Sequence, residues 1–355
     1  MARVLIVGAG LTGAVSASLL RRELQQACSI VVWDKARGAG GRMSTSRCPE
    51  DPQCTADLGA QYVSATPDYA KSHASFYEDL LSAGVLKPLS TPIEGDRSDP
   101  STNHYVAPAG ISSVVKHFLK QAGGGNAEVH FGHQVSEIRA EKTAGAGKWR
   151  VAAQNGTEAE FDAVVLTMPV PQILGLAGVK ALLAESQPAH LSQLEKASYS
   201  SRYALALYFS SGTRLDMPWA AKYVNGDPCV RFLSVDSRKR GIDGPETGPA
   251  LVVHTGVPFG LKYIDQSLPE VQPIIMQHLR DVLPGLPEPL SIKCQKWRYS
   301  QVHKPVEGSP GALVVSRQPP LVLGGDAFTH SNFDGCIESA LSVVSQVKQL
   351  LTTKS

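Results

Sequence analysis

A short apolar run that opens directly into glycines constrains this chain more than any other feature. Residues 3–7 are mostly β-branched and apolar, and Gly8-Ala9-Gly10-Leu11-Thr12-Gly13 follows without a linker. Apolar residues then recur at helical spacing over residues 11–25, and residues 29–33 form a second apolar run. The pattern predicts strand, helix and strand within about thirty residues. In that setting each glycine has its own task. Gly8 permits the tight turn, Gly10 lets a diphosphate approach the backbone, and Gly13 lets helix and strand pack closely. The helix N-terminus offers N–H groups and a partial positive charge to the same anion, and Thr12 can add a hydroxyl donor. Asp34 ends the second run, about 20 residues past the loop, where an acid takes a ribose hydroxyl. A dinucleotide is the expected ligand of this segment.

The chain has 355 residues, 43% of them hydrophobic, which is enough for two domains. A helix is predicted over 112–122 and strands over 128–131, 134–138, 149–153 and 163–167. Met168-Pro169-Val170-Pro171 closes the last of these. Residues 203–209, 230–235 and 251–255 are short apolar runs without long helices between them, which predicts an antiparallel sheet. A helix follows over 271–283. Residues 321–323 read as a strand entering Gly324-Gly325-Asp326, and 331–350 as a loop and a final helix. The expected fold class is α/β. A Rossmann-type domain has a parallel sheet assembled from the separate segments 1–62, 104–170 and 312–355. A mostly antiparallel substrate domain with helices, 63–103 and 171–311, is inserted in it.

Lys and Arg number 34 against 32 Asp and Glu, leaving a formal charge of +2. No nucleic-acid or membrane surface is expected from that balance. No apolar run reaches the ~18 residues of a membrane span. The six cysteines form no CxxC pair and no zinc-finger spacing, so no metal is expected. They read as free thiols of a reducing compartment. Cys48 and Cys54, the one close pair, leave a loop disulfide open. Residues 1–20 carry an arginine, an apolar run and small residues, as a signal peptide does. Cleavage near residue 17 would delete the first strand and the phosphate loop. Cytoplasmic residence is therefore expected, with secretion as the alternative.

A second glycine turn, Gly38-Ala39-Gly40-Gly41-Arg42, brings more backbone and the Arg42 charge to the same diphosphate, which favours FAD over NAD. It resembles the GGR loop of the amine-oxidase-like FAD superfamily. Asp57-Leu58-Gly59-Ala60-Gln61-Tyr62 is similar to that superfamily's stretch beside the flavin ring, which implies contacts from Gln61 and Tyr62. Gly324-Gly325-Asp326-Ala327-Phe328 and Asn332-Phe333-Asp334-Gly335-Cys336-Ile337 resemble its closing motif. The resemblance implies that Asp326 serves the ribityl–phosphate region. It also implies that the last helix, at Gly335 and Ile337, points its N-terminus at the flavin pyrimidine. A helix N-terminus there would stabilise negative charge. Ser300-Gln301 stands where the superfamily's covalently attached cysteine lies, so the FAD is expected to be non-covalent. Cys336 reads as a packing residue.

The chain as a whole resembles the renalase family. The likeness rests on Cys54-Thr55-Ala56-Asp57-Leu58-Gly59-Ala60-Gln61-Tyr62, Ser198-Tyr199-Ser200-Ser201-Arg202-Tyr203-Ala204-Leu205, Cys294-Gln295-Lys296-Trp297-Arg298 and Ser331-Asn332-Phe333-Asp334-Gly335-Cys336-Ile337. Departures lie mainly in 123–126, 143–147 and 241–247, which read as surface loops. The resemblance implies an FAD-dependent oxidase of isomeric dihydronicotinamides, the 2- and 6-dihydro forms of NAD(P). Hydride goes to flavin, O2 becomes H2O2, NAD(P)+ leaves, and the role is metabolite repair. An older family attribution is catecholamine oxidation by a secreted amine oxidase. A third reading is a secreted signalling protein with structural FAD and an extracellular receptor. A dihydropyridine is already an activated hydride donor, so its site must orient more than it must exchange protons. A polar slot with aromatic walls suffices. Tyr62, Tyr223, His254 and Trp297 are the candidates for that wall, each also readable as a core residue. Arg202 reads as structural or as a partner of a substrate phosphate. No lysine in a matching motif marks an amine-oxidase site.

Overall fold

The computed structural model describes residues 1–123, 127–141, 147–244 and 246–352. Residues 124–126, 143–146 and 245 of the three variable loops lie outside the described residues. The chain divides into two compact units: Met1–Gly41 with Val114–Ser198 and Val302–Ser355, and Arg42–Ser113 with Tyr199–Gln301.

The first unit is built on a six-stranded sheet in the order Leu313–Arg317, Pro320–Leu323, Ala163–Leu166, Ala2–Val7, Cys28–Asp34, Ala127–Phe131. Every pairing is parallel except the first, a hairpin at one edge. The strand that feeds the glycine loop lies inside the sheet, and its Val4, Leu5 and Ile6 are fully buried. Burial on both faces explains why it reads as continuous apolar sequence rather than as alternation. The Leu11–Leu24 helix packs on the terminal helix Phe333–Thr352, which also covers Pro320–Leu323. Ile337, Ala340, Val343, Val344 and Val347 give the terminal helix its buried stripe.

The second unit is built on a six-stranded sheet in the order Ser291–Lys304, Ser198–Tyr208, Ala250–Thr255, Val230–Val235, Ala221–Tyr223, Ile93–Glu94. Its three central pairings are antiparallel. Strand alternation sorts side chains onto two faces. Tyr203, Leu205, Leu207, Leu233 and Val253 join Val271, Ile275 and Leu279 of the Leu268–Val282 helix in an apolar core. The opposite face carries Ala204, Ala206 and Val252, packed against Ala56 and Leu58. On that face Tyr223 stands opposite Phe232, Phe232 opposite His254, and His254 opposite Ala204.

The unit boundaries differ from those read in the sequence. Residues 42–62 fold with the second unit, because Thr45–Arg47 pairs with Thr55–Asp57 and the latter packs on Ala250–Thr255. Residues 171–198 fold with the first, through a bridge between Glu137 and Ala177 and through Gln187, whose amide donates to the Val314 and Val315 carbonyls. The helix expected from residue 271 starts at Leu268, where Ser267 and Glu270 form a capping box that two prolines obscure. The Ser291–Lys304 strand has no clean alternation, because it is an edge strand with mixed exposure.

Gly59 fixes the approach to Gln61. A Cβ there would lie 1.8 Å from the Arg42 carbonyl oxygen, which accepts the Ala60 N–H at 2.9 Å. Gly59→Ala should destabilise the protein by about 2 kcal/mol. Gly244→Ala, with open space around it, should not. Equal melting temperatures for the two variants would contradict the close approach.

Candidate active site

The glycine loop of the first unit is built by close backbone contact. Gly8 has φ +113°, and a Cβ on it would meet Thr167 Oγ1 at 2.6 Å. A Cβ on Gly13 would lie 2.0 Å from the Gly8 carbonyl oxygen. Gly10 differs, since nothing lies within 4 Å of where its Cβ would be. Gly41, at φ +56°, closes over it, with its own Cβ position 3.4 Å from Gly10 Cα. Gly40 N–H donates to the Ala9 carbonyl at 2.9 Å. Asp34 clamps this loop: its two carboxylate oxygens accept from Ala9 N–H and Ala36 N–H, each at 2.7 Å. Each oxygen keeps a lone pair for a further donor. The Leu11–Leu24 helix has no side-chain cap and no acid in its first turn, and Thr12 is buried there. Open space over Gly10 beside an uncapped helix N-terminus fits a diphosphate.

At the same end of the parallel sheet, beside Thr167, Gly325, at φ +120°, donates its N–H to Ser339 Oγ at 2.8 Å. Ser331 Oγ accepts from Val302 N–H at 2.7 Å and donates to Asp326. Asn332 Oδ1 caps the terminal helix by accepting the Gly335 N–H at 2.7 Å. Gly335 admits no side chain, since a Cβ would sit 2.2 Å from the His330 carbonyl oxygen. Ile337 is fully buried in the helix stripe and Cys336 is half-buried.

In the second unit, Gln61, Tyr62, Tyr223, His254 and Trp297 form one connected cluster. The Tyr62 and Tyr223 hydroxyls are 2.6 Å apart. Tyr223 and His254 each lie against Phe232, with ring centroids 5.1 and 5.9 Å apart. Trp297 Nε1 donates to the Leu58 carbonyl at 2.9 Å, and His254 hydrogen-bonds the same carbonyl. Arg42, also in this unit, directs Nη1 toward the Ser300 carbonyl at 3.5 Å.

Gln61 links this cluster to a buried charged network. Its Oε1 accepts from Lys239 Nζ at 2.9 Å and from Ser234 Oγ at 3.0 Å. Its Nε2 shares its two hydrogens among the Asp57 and Gly59 carbonyls and His254 Nε2, the last at 3.3 Å. An ammonium only donates, so Lys239 fixes which end of the amide it meets. The nitrogen end then faces His254, whose Nε2 must accept, which places the ring proton on Nδ1. Burial, followed by the Lys239 and Arg202 charges, pushes His254 down to about 3. Lys239 Nζ and Arg240 Nε each lie 2.8 Å from Asp236. Against the effect of burial, these two cations hold Asp236 below the usual carboxylate range. Asp57 accepts from Thr45 Oγ1 at 2.7 Å and Ile111 N–H at 2.9 Å. Burial and then the charge of Asp236 raise it to about 6. Burial and the Tyr223 hydrogen bond raise Tyr62 above the usual phenol range.

Lys239, Asp236 and Asp57 were not expected from the sequence. Asp236-Ser237-Arg238-Lys239-Arg240 has the composition of a solvated turn, yet Asp236, Lys239 and Arg240 are buried. The six cysteines are free thiols. Cys48 Sγ points to Glu50 at 3.2 Å and Cys54 Sγ to the Gly248 carbonyl at 3.0 Å. Among the described residues no cluster of metal ligands occurs, and no helix is long and apolar enough to cross a membrane.

Residues 72–348 match the family described as flavin containing amine oxidoreductase, and residues 6–80 match the NAD(P)-binding Rossmann-like domain. The fold is shared with a protein of Exiguobacterium sp. 255-15 named as a candidate protoporphyrinogen oxidase. That pair has a TM-score of 0.74 and 14% identity, covering 98% of this chain and 99% of that one. It is shared more loosely with a Pyrococcus furiosus protein, at a TM-score of 0.58 and 13% identity over 98% and 97%. Glycine loop, closing motif and family together define an FAD-dependent oxidoreductase. Renalase of Mus musculus is 47% identical over 352 residues, 99% of this chain and 100% of that protein. The chain belongs to the renalase family.

Two outcomes follow from this geometry. Gly10→Ala places a methyl group in the space over the loop. It should weaken FAD retention tenfold or more, by about 1.4 kcal/mol, while the apoprotein melts as the wild type does; unchanged FAD affinity would contradict the assignment. His254 titrates at about 3 in the folded chain, against about 6.5 in an unfolded one. The unfolded chain binds the extra proton between those values. This contribution to stability is therefore complete above about pH 6.5 and is lost as pH falls toward 3. Carbon-13 NMR of the His254 ring should show no titration from about pH 5 to 8. A midpoint near 6.5 would refute the buried neutral ring.

Proposed function

We propose that this protein oxidises the 2- and 6-dihydro isomers of NAD(P), releasing NAD(P)+ as a metabolite-repair step. The observation that carries the reading is a wall able to orient a planar ring but not to act as a base near neutral pH. His254 is held neutral at about 3, and Tyr62 is raised above its ordinary range. A dihydropyridine surrenders hydride without losing a proton, so orientation by Tyr62, Tyr223, His254 and Trp297 suffices. Bound non-covalently, FAD supplies the two-electron acceptor and passes the electrons to O2, giving H2O2. The Tyr62–Tyr223 pair offers a hydroxyl to a carboxamide, and small Ala204 leaves room beside His254. In the first unit Gly8, Gly10, Thr12, Gly13, Asp34 and Gly41 would hold the diphosphate and ribose, with Asp326, Gly335 and Ile337 at the flavin end. Arg42, Gln61 and Tyr62 complete the proposed cofactor contacts.

The family description favours amine oxidation as a second reading. An amine is a cation at neutral pH and must lose a proton before it donates hydride. A histidine at about 3 is too weak a base for that task. We also propose cytoplasmic residence, supported by the place of Ala2–Val7 inside the parallel sheet. Mass spectrometry of the native protein should then find residues 2–17 present. Their removal would favour the secreted readings.

The purified yellow protein should bleach anaerobically with 2- or 6-dihydroNAD at least about a hundredfold faster than with NADH. Air should restore the colour with one H2O2 per NAD+. Equal rates with NADH, or fast bleaching by a catecholamine, would overturn the reading.

A further inference from the structure

The two tyrosines whose hydroxyls meet at 2.6 Å stand on different sheets of the second unit. Tyr62 leads into the strand Val63–Ala65, which pairs with Asn103–Val106 in a three-stranded sheet. Tyr223 ends the strand Ala221–Tyr223 of the six-stranded sheet. Among the described residues no pairing joins these two strands, so the contact of the hydroxyls needs another tie. One turn touches both sides. Ile93–Glu94 pairs in parallel with Ala221 and Lys222, and the Asp96 N–H then donates back to the Ile93 carbonyl at 3.2 Å. Gly95, at φ +76°, lies against Tyr223: a Cβ on it would sit 3.3 Å from the Tyr223 carbonyl oxygen and 3.5 Å from the Tyr223 Cβ. Just beyond, Asp96 Oδ2 meets His104 Nε2 at 3.1 Å, while Oδ1 accepts from Ser98 N–H at 3.1 Å and Ser98 Oγ at 2.9 Å. Against the effect of burial, the Ser98 and His104 hydrogen bonds hold Asp96 below the usual carboxylate range.

His104 carries the tie to Tyr62. It stands opposite Ser64 in the ladder, and its Nδ1 lies 2.9 Å from Ser64 Oγ. An ionised carboxylate only accepts, so Nε2 carries a proton toward Asp96 and the imidazole is anchored at both nitrogens. Its ring meets the Tyr62 ring edge to face, with centroids 5.1 Å apart at 74°. Tyr62 also packs on the apolar cluster of Ile93, Ala221 and Phe232, beside Tyr223 and Leu89. We propose that His104, anchored by Asp96 and Ser64, is a positioning residue that fixes the plane of the Tyr62 ring and so aims the hydroxyl of the Tyr62–Tyr223 pair at the substrate. The aim at a substrate rests on the function proposed above; the brace on the ring does not.

Two measurements on the FAD-loaded protein test this. By relaxation dispersion on ring-labelled tyrosine, His104→Ala should speed the ring flips of Tyr62 about tenfold or more. Tyr203, whose hydroxyl donates to the Tyr263 carbonyl at 2.7 Å, should keep its rate. An unchanged Tyr62 flip rate overturns the brace. In the second measurement, the limiting rate of anaerobic bleaching by 6-dihydroNAD should fall about tenfold in His104→Ala. His104→Gln, which still accepts from Ser64 and donates to Asp96, should recover part of that loss. In a Tyr62→Phe background no hydroxyl is left to aim, and there His104→Ala should change the rate less than about twofold. Equal losses in both backgrounds overturn the positioning role, because general loosening would act on either ring. Faster flips in a protein that no dihydronicotinamide bleaches leave the brace standing and remove the proposed reaction. Rapid bleaching that His104→Ala leaves unchanged does the reverse.

Discussion

The orientation of one side-chain amide governs the chemistry of the second unit. Lys239 is buried and can only donate, so it takes the oxygen end of Gln61 and turns the nitrogen end toward two backbone carbonyls and His254. That choice makes His254 an acceptor at Nε2, and burial keeps the ring neutral. The arrangement depends on keeping Lys239 charged inside the protein, which Asp236 makes tolerable by pairing with it and with Arg240. Removing one member of such a network would leave an uncompensated charge, so its members stand or fall together.

The two units solve different problems with different means. The first binds through backbone: three glycines and an uncapped helix N-terminus create a space that a diphosphate fits. Asp34 clamps the loop itself. The second offers side chains: two hydroxyls, an imidazole, an indole and an amide, with the imidazole pushed down to about 3 and the Tyr62 phenol raised above its ordinary range. This division suits an FAD-dependent oxidoreductase whose substrate brings its own reactivity. It suits an amine substrate poorly, because His254, at about 3, is too weak a base to take the amine's proton.

Much of the first unit was legible in the sequence because its constraints are local. A buried strand, a glycine turn and an amphipathic helix each leave a contiguous mark, and the strand, helix and strand of residues 2–34 lie within a residue of the reading. The cluster in the second unit was legible only in part. Tyr62, Tyr223, His254 and Trp297 come together, but the charges behind them do not announce themselves. Lys239 and Asp236 sit in a polar pentapeptide whose burial is decided by residues such as Gln61, far away in sequence. The Ser291–Lys304 strand was hidden for a related reason, since an edge strand carries no strict alternation.

Under the proposed function this site orients a hydride donor and moves no proton in the rate-setting step. The most direct test is the pH dependence of the limiting rate of anaerobic flavin bleaching by 6-dihydroNAD. With His254 at about 3, Asp57 at about 6 and Tyr62 raised, none of these three groups changes charge between about pH 7.5 and 9. The proposed reaction should give a rate flat within about twofold across that range. A bell-shaped profile, or a tenfold step with a midpoint inside it, would contradict it.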